Sequence, residues 1–151
     1  FSTFTAQNYG AGETGRLRKG FQKAVLVSAG FSGVLSLVVC LFAHPLMRIF
    51  VKAEETAVLA AGVRYLRVEG FFYMGIGCLF LLYGFYRAVN RPGMSVILTV
   101  ISLGLRVVLA YILSAPFGET GIWVAIPIGW AIADIVGFAY YFRLKRKGTL
   151  A

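Results

Sequence analysis

The 151-residue sequence has very few of the side chains that build disulfides, metal centres or catalytic sites. It contains two cysteines and one histidine. Cys40 and Cys78 each lie in an apolar run without metal-ligand neighbours, and we interpret both as small packing residues rather than a disulfide pair. His44, which precedes Pro45 at the end of an apolar run, is interpreted as an interfacial side chain. Because there is no nucleophile–base pair and no metal-ligand cluster, we predict no catalytic residues, no bound metal and no enzymatic activity.

Acidic residues are scarce as well: six stand against fifteen lysines and arginines, which gives a formal net charge of +9. The basic residues are scattered between apolar runs, unlike the clustered patch of a nucleic-acid-binding protein, so no nucleic-acid partner is expected. Apolar residues are abundant instead, because 59% of positions are hydrophobic and the mean hydropathy is +0.79. Soluble domains have roughly 45–50% apolar residues. A lipid bilayer is the solvent that could accept this much apolar surface.

Four long apolar runs are predicted to cross a membrane as helices, with bounds at about 24–46, 63–88, 93–115 and 120–142. The alternation of transmembrane β-strands is absent from these runs. Helix breakers separate them, at Pro45, at 90–93 and at 116–118. Pro127 lies inside the fourth run, where a proline is expected to kink the helix. The predicted fold class is therefore all-α and integral to the membrane, with four transmembrane helices.

Lysines and arginines divide unevenly between the two faces that four antiparallel spans create. One face receives ten of them and the opposite face four, while Arg106 lies inside a span. The positive-inside rule assigns the richer face to the cytoplasm. We therefore predict a multi-pass protein of the cell (cytoplasmic) membrane with both ends of this sequence cytoplasmic. The ten residues are Arg16, Arg18, Lys19, Lys23, Arg87, Arg91, Arg143, Lys145, Arg146 and Lys147.

Residues 10–15 read Gly-Ala-Gly-Glu-Thr-Gly, which has the spacing of the dinucleotide-binding fingerprint. That fingerprint has meaning only after a strand in a βαβ unit, with an acidic residue about 20 positions further on. Here a membrane span follows, and no acidic residue occurs between Glu13 and Glu54. We therefore predict that these glycines end a helix and form a tight cytoplasmic turn.

The same stretch carries a family resemblance. Residues 7–12, followed by Arg16 and a long apolar helix, resemble the repeated signature of the multidrug and toxic compound extrusion (MATE) family. Further similar segments follow in order at 64–67, 84–92, 106–111 and 121–127. The resemblance implies the C-terminal portion of a twelve-helix transporter, namely the end of helix 8 and helices 9–12 in its second lobe. The residues of the cytoplasmic-loop motif are Gln7, Asn8, Gly10, Gly12 and Arg16.

Membership of that family implies a cation-coupled antiporter, driven by H⁺ or Na⁺, that expels drugs and amphipathic organic cations by alternating access. Its partners are then the lipid bilayer and the N-terminal lobe of the same polypeptide, and no cofactor is expected beyond the coupling cation. Some members carry an acidic cation ligand in the tenth helix, whereas 70–86 contains none. Two alternatives stay open: a lipid or polysaccharide flippase of the same superfamily, and a small membrane scaffold protein that transports nothing.

Five residues in or near the spans are candidates for functional roles. Arg106 and Asp134 are predicted to form an intramembrane charge pair, because burying either charge alone costs several kcal/mol. Glu69, Phe72 and Tyr73 lie at the start of the second apolar run and are candidates for lining a substrate cavity. The alternative for the aromatic residues is packing against lipid or neighbouring helices.

Overall fold

The computed structural model describes residues 1–148, all of whose regular elements are helices. They are α1 (Ser2–Gly10), α2 (Thr14–Leu41), α3 (Ala43–Met47), α4 (Thr56–Phe71), α5 (Tyr73–Ala88), α6 (Pro92–Phe117) and α7 (Glu119–Arg146). Helices α2, α6 and α7 are each long and apolar enough to cross a bilayer, and α4 and α5 are so only as a pair. The predicted all-α membrane fold is confirmed, with three helices of spanning length and the bent α4–α5 pair as the candidate for the fourth span.

The α4–α5 pair is broken, whereas the sequence predicts one continuous span at about 63–88. The two helices are bent by 50° around Phe72. A side chain added at Gly70 would lie 2.8 Å from Val39, so α4 rests directly on α2 just before the break. At the break, Phe72 N–H donates a hydrogen bond to the Glu69 carbonyl at 3.1 Å, and Gly75 N–H donates one to the Phe72 carbonyl at 2.9 Å. These three-residue turns tighten the backbone and redirect the span.

Helices α6 and α7 form an antiparallel hairpin whose backbones touch. The turn is made by Gly118, which has a positive φ of 56°. A side chain on Gly121 would collide with the backbone of Leu113, and one on Gly129 would lie 2.6 Å from the Ser102 carbonyl oxygen. Small residues of this kind allow membrane helices to approach closely. Helix α7 continues through Pro127, so the helix is not interrupted there.

The main cluster of buried side chains extends from the middle of the bundle to one end. That end is formed by residues 13–23, 84–92 and 140–148, and we name it the basic end. Phe21 stacks on Tyr141 with ring centroids 4.2 Å apart and contacts Phe85 at 4.8 Å. Tyr86 is fully buried, and its hydroxyl donates a hydrogen bond to the Gly137 carbonyl. The ten basic residues listed above all belong to these three segments or directly flank them. The opposite end, formed by 44–67 and 113–123, is named the distal end.

Candidate functional site

Two carboxylates lie on either side of the break between α4 and α5. Glu69 is in the last turn of α4 and is 5% exposed. Asp134 is half-buried on α7, and its Oδ2 lies 3.7 Å from the point where a side chain on Gly75 of α5 would begin. Within residues 1–148, neither Glu69 Oε1 nor Asp134 Oδ1 has a hydrogen-bond partner. A buried carboxylate without partners is costly and is a functional candidate by default in a membrane.

Arg106 lies on α6 and faces a cavity of about 280 Å³ whose wall includes Ile76, Ser102 and Trp130. Among the described residues the single ion pair is Arg64–Glu119, so the structure does not join Arg106 to Asp134. The reason is geometric: the Asp134 carboxylate rests against Gly75, whereas Arg106 faces the cavity between α5, α6 and α7. The energetic coupling of these two residues stays a prediction.

A larger cavity, of about 640 Å³, adjoins the break and is bounded by α2, α4 and α7. Its volume is within the range of 300–1,000 Å³ that is usual for small-molecule sites. Four of its lining residues, at or just before the break, are spaced as on one face of a helix. Phe72, a predicted cavity residue, is one of the four. Glu69 and Tyr73, the other two predicted cavity residues, do not line this cavity. Arg67 is the only charged residue of the lining, which is otherwise apolar except for one cysteine. The wall residues are Leu37, Cys40, Leu41, Arg67, Val68, Phe71, Phe72 and Val124.

The loop motif at residues 7–16 ends α1 and makes the turn into α2. Asn8 is buried, its side-chain amide donates to the Phe4 carbonyl at 2.7 Å, and its own carbonyl accepts from Glu13 N–H at 2.9 Å. Gly12 has a φ of +71°, a left-handed conformation that favours glycine. The predicted helix end and tight turn are therefore present. The remaining motif residues Gln7, Gly10 and Arg16 are exposed.

The chain is similar to known proteins along most of its length. The MatE family model matches residues 1–112. The chain is 26% identical over 150 residues to the "Probable multidrug resistance protein YoeA" of Bacillus subtilis (strain 168), covering 97% of the chain and 32% of that protein. It is 24% identical over 149 residues to the "Probable multidrug resistance protein NorM" of Rhizobium meliloti (strain 1021), covering 95% and 32% respectively. The chain thus spans about a third of the length of these curated relatives.

Two solved structures share the fold. One is described as the "Inward-facing conformation of a multidrug resistance MATE family transporter of the MOP superfamily", with a TM-score of 0.90 and 24% identity over 99% of this chain and 36% of that one. The other is a "Crystal structure of MATE in complex with MaL6", with a TM-score of 0.87 and 21% identity over 96% of this chain and 33% of that one. The break between α4 and α5 therefore lies in a fold that has been determined experimentally.

Proposed function

The chain belongs to the MatE family, and from that membership we propose that it supplies part of a transporter that exports drugs across the cell membrane. The observation that carries the proposal is the apolar cavity of about 640 Å³ beside the break in the α4–α5 span. Its aromatic wall at Phe71 and Phe72 suits flat, lipophilic compounds. The names of the curated relatives agree with drugs as the substrate class.

We propose that a cation, H⁺ or Na⁺, drives this export by binding at Glu69 and Asp134. A buried carboxylate oxygen that lacks a hydrogen-bond partner gains from the uptake of a proton or a cation, because either one offsets the negative charge. Asp134 lies against Gly75 in the first turn of α5, and Glu69 lies in the last turn of α4. Cation uptake therefore changes the charge on both sides of the break and biases a two-state movement of the bent span, as alternating access requires.

Efflux by the full-length protein tests both parts of this proposal. The protein and its Glu69→Gln and Asp134→Asn variants are expressed in a host without its own exporters, and accumulation of a fluorescent cationic dye is measured. We expect the export rate of each variant to be lower by about tenfold or more. That corresponds to an increase of about 1.4 kcal/mol or more in the activation free energy. Glu54→Gln is the matched control, because Glu54 is exposed at the distal end and should leave export unchanged.

Three results would contradict the proposal. Export that persists when both the proton and the sodium gradients are collapsed would exclude cation coupling. Export equal to that of the unmodified protein in both carboxylate variants would remove Glu69 and Asp134 from the mechanism. Movement of labelled lipid without any movement of dye would favour the flippase alternative.

We also propose that the basic end faces the cytoplasm, since it carries most of the lysines and arginines. Reporter fusions in the full-length protein measure this directly. In chain order the fusion sites should report inside, outside, inside, outside and inside, and an outside signal at the last site would contradict the four-span topology. The sites follow Gly20, Glu55, Arg91, Gly118 and Gly148.

A further inference from the structure

A cavity of about 380 Å³ opens at the basic end, between the turn that precedes α6 and the last turns of α7. Its polar wall consists of Arg91, Tyr140, Arg143 and Lys147. Arg91 Nη1 donates to the Tyr140 hydroxyl at 3.1 Å, which fixes the guanidinium against α7 and leaves its other N–H groups for a ligand. Three cationic side chains and a hydroxyl therefore converge on one concave space.

No acidic side chain lines this cavity. Asp134, the acidic residue of α7 that lies nearest in sequence, is nine residues before Arg143, which corresponds to roughly 13 Å along the helix. Glu13 is at the basic end, but within residues 1–148 it forms no ion pair. The cavity therefore concentrates positive charge without an internal counterion, which is the electrostatic signature of an anion site.

A second cavity, of about 350 Å³, adjoins the first and shares Arg143 and Lys147 with it. It adds Arg146 to the cations, and its remaining wall consists of Ala139 and the exposed ring of Phe142. Cationic groups thus lie above an apolar surface, over about two turns of α7. Tyrosines at this depth are typical of the interface between membrane and water, where lipid phosphates lie.

We propose that the paired cavities bind the phosphate headgroup of an anionic phospholipid, whose acyl chains lie along Ala139 and Phe142. The two parts of the site match the two parts of such a lipid. The arginines and the lysine bind the negative phosphate oxygens, and the apolar wall contacts the hydrocarbon chains. A soluble phosphate would use the same cations but would not use Phe142. The proposal concerns residues other than Glu69 and Asp134 and goes beyond drug export.

Lipid binding to the purified full-length protein tests the site. Native mass spectrometry compares retention of dioleoylphosphatidylglycerol with that of dioleoylphosphatidylcholine. The double variant Arg143→Gln/Lys147→Gln should bind phosphatidylglycerol roughly 25-fold more weakly, because each basic residue near an anionic lipid contributes about fivefold. The matched control is Arg87→Gln/Lys145→Gln, which removes the same charge from the same end but from neither cavity. It should change binding by less than about twofold.

Equal weakening in the two double variants would show attraction to any negative surface and overturn the site. Displacement of the lipid by excess inorganic phosphate would assign the cavities to a soluble anion and overturn the lipid proposal. A photoactivatable phosphatidylglycerol gives a second readout on the unmodified protein, in case the glutamine variant does not fold. Its crosslinks should fall within 139–147, and an even spread over all four spans would also overturn the proposal. None of these measurements depends on export or orientation.

Discussion

The two ends of the bundle are held together in different ways. At the basic end, rings from α2, α5 and α7 form one buried cluster, and a buried hydroxyl ties α5 to α7. At the distal end, Ile49 and Phe50 are 72% and 83% exposed, and the one ion pair has both side chains more than half exposed. Glu69 and the apolar cavity lie nearer to the distal end, beside the broken span, whereas Asp134 lies in the middle of α7.

Under the alternating access proposed above, this difference predicts which end stays fixed and which part moves. Lipid tails are as apolar as leucine, so membrane helices are held by close packing and hydrogen bonds rather than by burial from water. The basic end has both kinds of contact and can serve as a fixed base. The part around the break has a bent backbone and two carboxylates without hydrogen-bond partners, and we expect it to be the part that moves. The following four expectations test that comparison.

The largest effect is expected from Phe21→Ala. Phe21 is 3% exposed and contacts the rings of Phe85 and Tyr141, so the substitution opens a cavity in the centre of the basic end. Phenylalanine-to-alanine changes in cores cost about 3–5 kcal/mol, and we expect about 3 kcal/mol here. Phe31→Ala is the control, because Phe31 is on the same helix and 67% exposed. Thermal unfolding of the purified full-length protein measures both, and equal losses would remove the contrast between core and periphery.

A smaller loss is expected from Gly121→Ala, which probes the tight backbone contact between α6 and α7 at the distal end. The added methyl group would collide with the Leu113 backbone, which cannot move aside as a flexible side chain can. Overpacking of this kind costs about 1–3 kcal/mol, and we expect about 2 kcal/mol. Gly104→Ala, on α6, adds the same methyl group to open space and should be neutral or slightly stabilising. If Gly121→Ala is also neutral, the α6–α7 hairpin is not rigid.

Much of this architecture could be predicted from the sequence, for physical reasons. Length and hydropathy define the spans because a bilayer imposes one thickness on every helix. Helix breakers define the turns, as at Gly12, whose positive φ a glycine tolerates. The uneven distribution of lysine and arginine anticipated the basic end. These features depend only on local composition, so one sequence is enough to find them.

The break in the second span could not be predicted in the same way. It lies next to the place where Gly70 of α4 approaches Val39 of α2, and a lone glycine in an apolar run does not reveal which helix it contacts. The Asp134 side chain lies against Gly75 rather than Arg106, and this contact between helices likewise cannot be read from the sequence. The spacing of Gly121, Gly129 and Gly137 at eight-residue intervals is, by contrast, a signal in the sequence for close packing of α7.

An effect of about 1 kcal/mol is expected from Tyr86→Phe, which removes one hydroxyl from the basic end. That hydroxyl donates to the Gly137 carbonyl between α5 and α7, and the residue is fully buried. Hydrogen bonds between helices contribute about 0.6–1.5 kcal/mol in such settings. Tyr83→Phe is the control, since the Tyr83 hydroxyl makes no hydrogen bond within residues 1–148. A larger loss in the control than in Tyr86→Phe would contradict the assigned role.

The smallest effect is expected at the distal end, from the ion pair between Arg64 and Glu119. The guanidinium and the carboxylate are 3.1 Å apart, but their side chains are 63% and 56% exposed. Water and salt therefore screen the attraction, and ordering two long side chains costs entropy, so exposed pairs contribute about 0.2–1 kcal/mol. A double-mutant cycle with Arg64→Ala and Glu119→Ala should give a coupling of about 0.5 kcal/mol or less at physiological salt, disappearing at high salt. The neighbouring contact of Tyr65 with Trp123, at 5.7 Å between ring centroids, should persist in both single variants. A coupling above about 1.5 kcal/mol that persists at high salt would mean that the ion pair holds the distal end as firmly as the buried cluster holds the basic end. The contrast between the two ends would then be wrong.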